Sequence, residues 1–188
     1  MRNLDKAAFA SARTVMVDML NYGAAAQTNR GYNTEDLANN QLSETQKAYG
    51  SASASPENKL VAGTNYYAST LSMLENLVLT IYFKNVTSDM YAIVEYTDYH
   101  GTAYSYRVEG SEFATVSGYK GVRVENLLVA DGDVLVEVTI YDSNGNEVAN
   151  ACDSMNSYAA RQIAKGESDA IYEMIAKFTA SANAYLAD

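Results

Sequence analysis

Asp131 to Val148 reads DGDVLVEVTIYDSNGNEV, and its period of two decides the fold class. Val134, Val136, Val138 and Ile140 fall on one side, and Leu135, Glu137, Thr139 and Tyr141 on the other. That alternation is the mark of a strand with one face buried. Asp142-Ser143-Asn144-Gly145-Asn146 follows as a hairpin turn, because Asn and Gly tolerate positive φ, and Val148 begins the return strand.

The same pattern extends upstream. Leu77, Leu79, Ile81 and Phe83 alternate with Val78, Thr80 and Tyr82, predicting a strand buried on both faces. Met90–Thr97 and Ala103–Glu109 predict two more strands, joined by the tight connection Asp98-Tyr99-His100-Gly101. Phe113–Ser117 and Tyr119–Val124 are weaker strands, and Asn126–Val129 reads as a helical turn. No helical pattern lies between these strands, so parallel βαβ units are excluded. Hairpin-length turns favour an antiparallel sandwich.

Helical patterns flank this middle. Near the N-terminus a helix is expected to start at Leu4 or Asp5, with Ala8, Ala12, Val15, Met19, Tyr22 and Ala26 on one face. Gly23-Ala24-Ala25-Ala26 thins that face enough for a second helix to approach, and Asn29-Arg30-Gly31 ends it. Asn33 or Thr34 can cap a short turn through Leu37, and Ser43-Glu44-Thr45-Gln46 fits a capping box. Gly50–Pro56 is a loop crossing to the sheet. At the other end, Met155–Lys165 stops at Gly166; Ser168 then caps a last helix with Ile171, Ile175, Phe178, Ala182 and Tyr185 on one stripe. The expected fold is α+β, one domain over 1–188. Its helical segments are 1–50 and 154–188, around an immunoglobulin-like antiparallel sandwich at 70–150, with the N- and C-terminal helices packed together against it.

Composition narrows the function. The 188 residues carry 13 Lys+Arg against 23 Asp+Glu, a net charge of -10, which disfavours nucleic acid and anionic membrane surfaces. No apolar run is long enough to insert in a membrane. Cys152 is the single cysteine, among Asn150, Ala151 and Asp153, a setting that suits a small core residue better than an activated thiol. Sixteen tyrosines without a tryptophan suit pleated surfaces that are half packed and half wet.

Motifs for chemistry are sparse. A Ser or Cys triad needs a histidine, and His100, the single one, sits in a turn two residues after Asp98. Asp142, Asn144 and Asn146 resemble the start of a calcium loop, but Glu147 stands where such a loop needs glycine, so the hairpin reading prevails and calcium is the weaker one. No phosphate-loop or dinucleotide pattern is present, and no cofactor is expected. Two carboxylates at the right separation would suffice for glycoside hydrolysis, which 23 acidic residues allow. The surface feature that points to a ligand is the hairpin carrying Tyr96, Asp98, Tyr99, His100 and Tyr104. Its rings can stack on sugars while its polar groups bind hydroxyls; the alternative is that Tyr96 and Tyr104 are cross-strand neighbours stabilising the sheet.

VMVDMLNYGAAAQTNRGYNTEDLANNQLSETQKA, from Val15, resembles a recurrent segment of large secreted and surface proteins of gut-dwelling Gram-positive anaerobes, and SMNSYAARQIAKGESDAIYEMIAKFTASANAYLAD resembles the close of the same modules. The likeness covers both ends and the β-middle in outline; it departs at Asn29-Arg30 and at Phe178-Thr179. These modules carry no assigned catalytic residues. The resemblance implies a non-catalytic extracellular or cell-surface module for adhesion, spacing or docking, with signal and anchor outside this sequence. Its partner would be a glycan or another surface protein; no pattern sets an oligomeric state.

Overall fold

The computed structural model describes residues 9–73, 77–166 and 170–188. The expected helix start near Leu4, the contribution of Ala8 and the Ser168 cap lie outside them. The chain divides into two compact units: a helical one drawing on Met1–Glu57 and Ala159–Asp188, and a β unit over Asn58–Tyr158.

In the helical unit, α1 (Ala10–Arg30) ends at Gly31, whose φ of +62° and the bond from Tyr32 N to Gln27 O (3.0 Å) make a left-handed stop. The expected packing of the first helix on the last is present: Tyr22 meets Phe178 of the final helix at 6.0 Å between ring centroids. The expected stripe is only partly correct. Val17, Asp18 and Ala24 are buried, whereas Met19 is exposed. A second face of α1 is occupied by the returning segment 32–51, which the sequence pattern presented as caps and loop. Asn39 Nδ2 donates to Asn21 Oδ1 (3.0 Å), and Ala38 N donates to Gln27 Oε1 (2.7 Å). The close approach anticipated at Gly23 is made by Ala38 of this segment, 3.0 Å from where a Cβ would stand.

The capping box forms as read. Ser43 accepts from Gln46 N, and the Gln46 side chain accepts from Ser43 N, starting the short α2 (Glu44–Lys47). The chain is then fastened to α1 by a buried carboxylate. Asp18, 1% exposed, accepts from Ser51 N (2.9 Å) and from Ser51 Oγ (2.6 Å).

The β unit contains β1 (Val61–Ala62), β2 (Tyr66–Met73), β3 (Leu77–Phe83), β4 (Tyr91–Thr97), β5 (Ala103–Glu109), β6 (Ala114–Val116), β7 (Tyr119–Leu127), β8 (Val136–Tyr141) and β9 (Glu147–Asp153). All described pairs are antiparallel, in one sheet of order β1-β9-β8-β4-β5 and another of order β2-β3-β7-β6. The two inner faces share one core, with Leu79, Ile81, Phe83, Val122 and Val124 from the smaller sheet and Val94, Val136, Val138 and Ile140 from the larger all fully buried. This is an α+β chain with a β-sandwich. On β3, Val78 and Thr80 are buried as well, as the double alternation predicts. Cys152 differs from expectation: it lies half-buried on the outer face, opposite Val61 and Glu137, because Ala149, Ala151 and Asp153 take the inward positions of β9. The last helices are α3 (Met155–Ala164) and α4 (Ala170–Ala187), with Met155 in the sandwich core and Ile171, Ile175 and Ala182 buried on α4.

The Asp18 clamp is testable. A buried carboxylate bonded to two donors contributes more than a neutral pair, so Asp18→Ala is expected to cost about 2–3 kcal/mol and Ser51→Ala about 1 kcal/mol. Urea denaturation followed by far-UV circular dichroism measures both. A loss below about 0.5 kcal/mol for Asp18→Ala would contradict the clamp.

Candidate functional site

The β4–β5 hairpin is organised by its turn. Asp98 Oδ1 accepts from His100 N (2.9 Å) and Thr102 N (2.8 Å), and Gly101 N closes the turn on Asp98 O (2.9 Å). Tyr104 donates its hydroxyl to Asp98 Oδ2 at 3.4 Å. Desolvation works against the Asp98 charge, but the N–H groups of Thr102 and His100, with the His100 charge and the Tyr104 hydroxyl, hold its carboxyl below the usual range.

Behind the turn lies a second carboxylate. Asp131, 3% exposed, accepts from Tyr99 N (3.0 Å) through Oδ1 and from Leu128 N (2.8 Å) through Oδ2. It thus ties the hairpin tip to the 3-10 turn at Val129–Asp131. That turn is displaced from the expected Asn126–Val129, since Asn126 and Leu127 still belong to β7.

Of the residues singled out from sequence, Tyr96, Asp98 and Tyr104 come together. Tyr96 and Tyr104 are register partners, stacked at 4.8 Å with ring planes 15° apart. This is the cross-strand pairing that was the alternative to a ligand platform. Tyr104 nevertheless remains 42% exposed. Tyr99 and His100 pack on each other at 3.7 Å in the turn. Asp142 is occupied by its own loop: Oδ1 accepts from Asn144 N and Asn146 N (both 2.9 Å), and Oδ2 accepts from Asn146 Nδ2 (3.0 Å). The Asn146 bonds lead those that lower its pKa. Among the described residues no group of three or more His, Cys, Asp or Glu is disposed to hold a metal.

Tyr96 and Tyr104 also line an open groove of about 790 Å³ that the sequence pattern did not reveal. Its construction follows from one short strand. After β5 the chain leaves the larger sheet through a 3-10 turn, Gly110–Glu112, whose first residue passes so close to other backbone that a Cβ there would stand 2.4 Å from Met90 O. Strand β6 then pairs with β7 only at Tyr119–Gly121. Beyond Gly121, β7 is an edge. The inward-pointing Tyr104, Tyr106 and Val108 of β5, itself an edge strand, and Tyr96 of β4 are left without a covering strand, and they line the groove with Arg123, Glu125 and Asn126 of β7, together with Glu112 and Arg107.

A β-bulge shapes the β7 wall. Leu79 pairs with Val124 but Leu77 with Leu127, so β7 carries one residue more than β3 over this span. Asn126 takes the left-handed conformation (φ +64°) that permits it. Leu127 thereby turns back into the core, and the polar Glu125 and Asn126 face the groove. Arg123 Nη2 pairs with Glu125 Oε1 at 3.0 Å. Arg107 pairs with Glu109 (2.6 Å) and lies 3.6 Å over the Tyr91 ring. Tyr106 is strongly perturbed: desolvation, then the neighbouring Tyr96 and Glu125, push its hydroxyl up to about 12. The groove residues missed from sequence are Tyr106, Arg107, Val108, Glu112, Arg123, Glu125 and Asn126. The available signal was the break in alternation, from Val122 and Val124 to Leu127.

A shallower basin of about 720 Å³ lies on the outer face of the larger sheet. There Glu95 and Glu137 are direct cross-strand partners, with Ser105 Oγ bonded to Glu95 (3.1 Å) and Cys152 adjacent to Glu137. Burial, then the charges of Glu137 and Asp153, push the Cys152 thiol up, away from a reactive thiolate.

No family model matches this chain, and no curated protein matches it. One solved structure, described as a crystal structure of a bromine derivative of BhCBM56, a carbohydrate-binding module, aligns with 50% of this chain and 99% of its own, at 20% identity and a TM-score of 0.29. A likeness that loose fixes neither fold family nor function. No described helix is long and apolar enough to cross a membrane.

The raised Tyr106 pKa has a stability consequence. A folded-state value near 12 against about 10 unfolded means the neutral form is favoured by folding, so its contribution is full below pH 10 and is lost as pH rises through 12. The denaturation midpoint is expected to fall over pH 10–12 less steeply in Tyr106→Phe than in the parent; identical slopes would contradict the assignment.

Proposed function

We propose that this chain is a non-catalytic recognition module of a multi-modular bacterial surface or secreted protein, serving adhesion or docking through the open side of its immunoglobulin-like sandwich. The observation that carries this reading is the groove between the edges of β5 and β7, where tyrosine rings and hydrogen-bonding side chains converge on one concave surface. Large aromatic residues beside a few placed polar groups are what a binding surface needs. Chemical turnover would require, in addition, an activated nucleophile or an acid–base pair poised near neutrality. The perturbed groups around the hairpin shift the other way: the tyrosines Tyr96, Tyr104 and Tyr106 upward and the carboxyl of Asp98 downward, each held more firmly in its resting protonation state at neutral pH.

A second reading is a passive spacer. It draws on the way the hairpin rings satisfy one another, Tyr96 with Tyr104 and Tyr99 with His100. A carboxylate-based hydrolase could draw on Glu95 and Glu137, which face a shallower basin on the outer face of the larger sheet, or on Glu112 and Glu125 in the groove.

The two leading readings separate in a solid-phase retention assay with the purified chain over mucin, plant cell-wall polysaccharides and extracellular-matrix proteins. Recognition predicts retention on at least one of these and a drop of about tenfold for Tyr104→Ala, the size expected when a stacked aromatic contact is removed. Tyr104→Ala loses the cross-strand stack on Tyr96 and a long, exposed hydrogen bond to Asp98, so the fold should be retained at a cost of about 1 kcal/mol. Retention unchanged by that substitution would place recognition away from the groove, and no retention with folded protein would favour the spacer.

A further inference from the structure

We infer that the groove between β5 and β7 takes a short, uncharged oligosaccharide, with one sugar ring on the open face of Tyr104 and its hydroxyls bonded along Arg123, Glu125 and Asn126. This rests on the preceding reading of the groove as the recognition surface, and it names the ligand class.

Charge comes first. The chain as a whole carries -10, yet the groove lining is balanced, with Arg107 and Arg123 against Glu112 and Glu125. Both guanidiniums already hold a carboxylate, Arg107 that of Glu109 and Arg123 that of Glu125. An acidic or sulfated ligand meeting the remaining N–H groups of either guanidinium would sit beside the carboxylate that already neutralises it. An uncharged ligand leaves both pairs intact.

The remaining chemistry suits hydroxyl groups. A sugar hydroxyl both donates and accepts, and it is best met by donors and acceptors set side by side. The Arg123–Glu125 pair supplies N–H donors and carboxylate oxygens within 3.0 Å of one another, and the Asn126 amide supplies one of each kind. Tyr104 provides the flat partner. One face is covered by Tyr96, which fixes the plane of the ring, while 42% of the residue stays accessible.

The backbone positions the last of these groups. Asn126 holds a left-handed φ of +64°, as Asn33, Asn65, Asn85 and Ser117 also do among the described residues, and the bulge there returns Leu127 to the core and leaves the Asn126 side chain at the groove. A groove of about 790 Å³ falls within the range of sites for ligands of a few rings.

The test uses the full chain on an array of neutral, uronic-acid, sialylated and sulfated glycans, followed by calorimetry on the strongest hit. Neutral oligosaccharides are expected to lead. Affinity should fall about tenfold in Tyr104→Ala and about fivefold in Asn126→Gly, which allows the left-handed backbone and removes the amide-bearing side chain. Acidic or sulfated glycans leading, or a neutral hit bound equally by both variants, would overturn the inference. If the array is blank and a protein ligand is instead lost with both Tyr104→Ala and Asn126→Gly, the ligand class is wrong and the groove reading stands. If whatever binds is indifferent to both variants, the groove reading fails as well.

Discussion

The β unit depends on the apolar contact between its two sheets. Leu79, Ile81 and Phe83 on one side and Val94, Val138 and Ile140 on the other are all removed from water. Each such side chain contributes about 1.5–3 kcal/mol by burial. The three described ion pairs are exposed and contribute about 0–1 kcal/mol each. The core therefore decides the arrangement, and the charged surface is free to serve another purpose.

That core also leaves the sandwich open on one side. The chain must cross from β5 to the opposite sheet, and at Gly110 it does so where the backbone of Met90 leaves no room for a side chain. The crossing consumes residues that would otherwise lengthen β6. The outer half of β7 is then unpaired and the tyrosines of β5 are uncovered. The bulge at Asn126 works within the same constraint, returning Leu127 to the core while keeping Glu125 and Asn126 at the opening. Asp131 acts from beneath, fixing the turn at Tyr99 so that the hairpin bearing Tyr96 and Tyr104 keeps its place. In the helical unit Asp18 does a comparable service, holding Ser51 against α1.

Much of this was legible in the sequence where one local rule acts alone. The strands at Leu77–Phe83 and Ala103–Glu109, the capping box at Ser43, the stop at Gly31 and the Asn144-Gly145 hairpin all follow from period or cap chemistry. Features set by distant partners were not. Met19 fits the α1 stripe by spacing, but a second face of that helix is claimed by Ala38, Asn39 and Ser51, which no periodicity announces. Asn126 looked like the start of a helical turn because a bulge breaks alternation just as a turn does. The candidate site was half visible. Tyr96, Asp98 and Tyr104 share a hairpin and were found together, whereas Arg123, Glu125 and Asn126 reach them across the sheets, through pairing that the sequence does not spell out.

The claim that the open side of the sandwich is the recognition surface is tested most directly by locating a ligand on it. Amide chemical-shift mapping of the isotopically labelled chain, titrated with a mixture of neutral oligosaccharides, gives that location residue by residue. The account predicts saturable shifts concentrated at Tyr104, Tyr106, Arg123, Glu125 and Asn126. Shifts centred instead on Glu95, Glu137 and Cys152, on the outer face of the larger sheet, would contradict it.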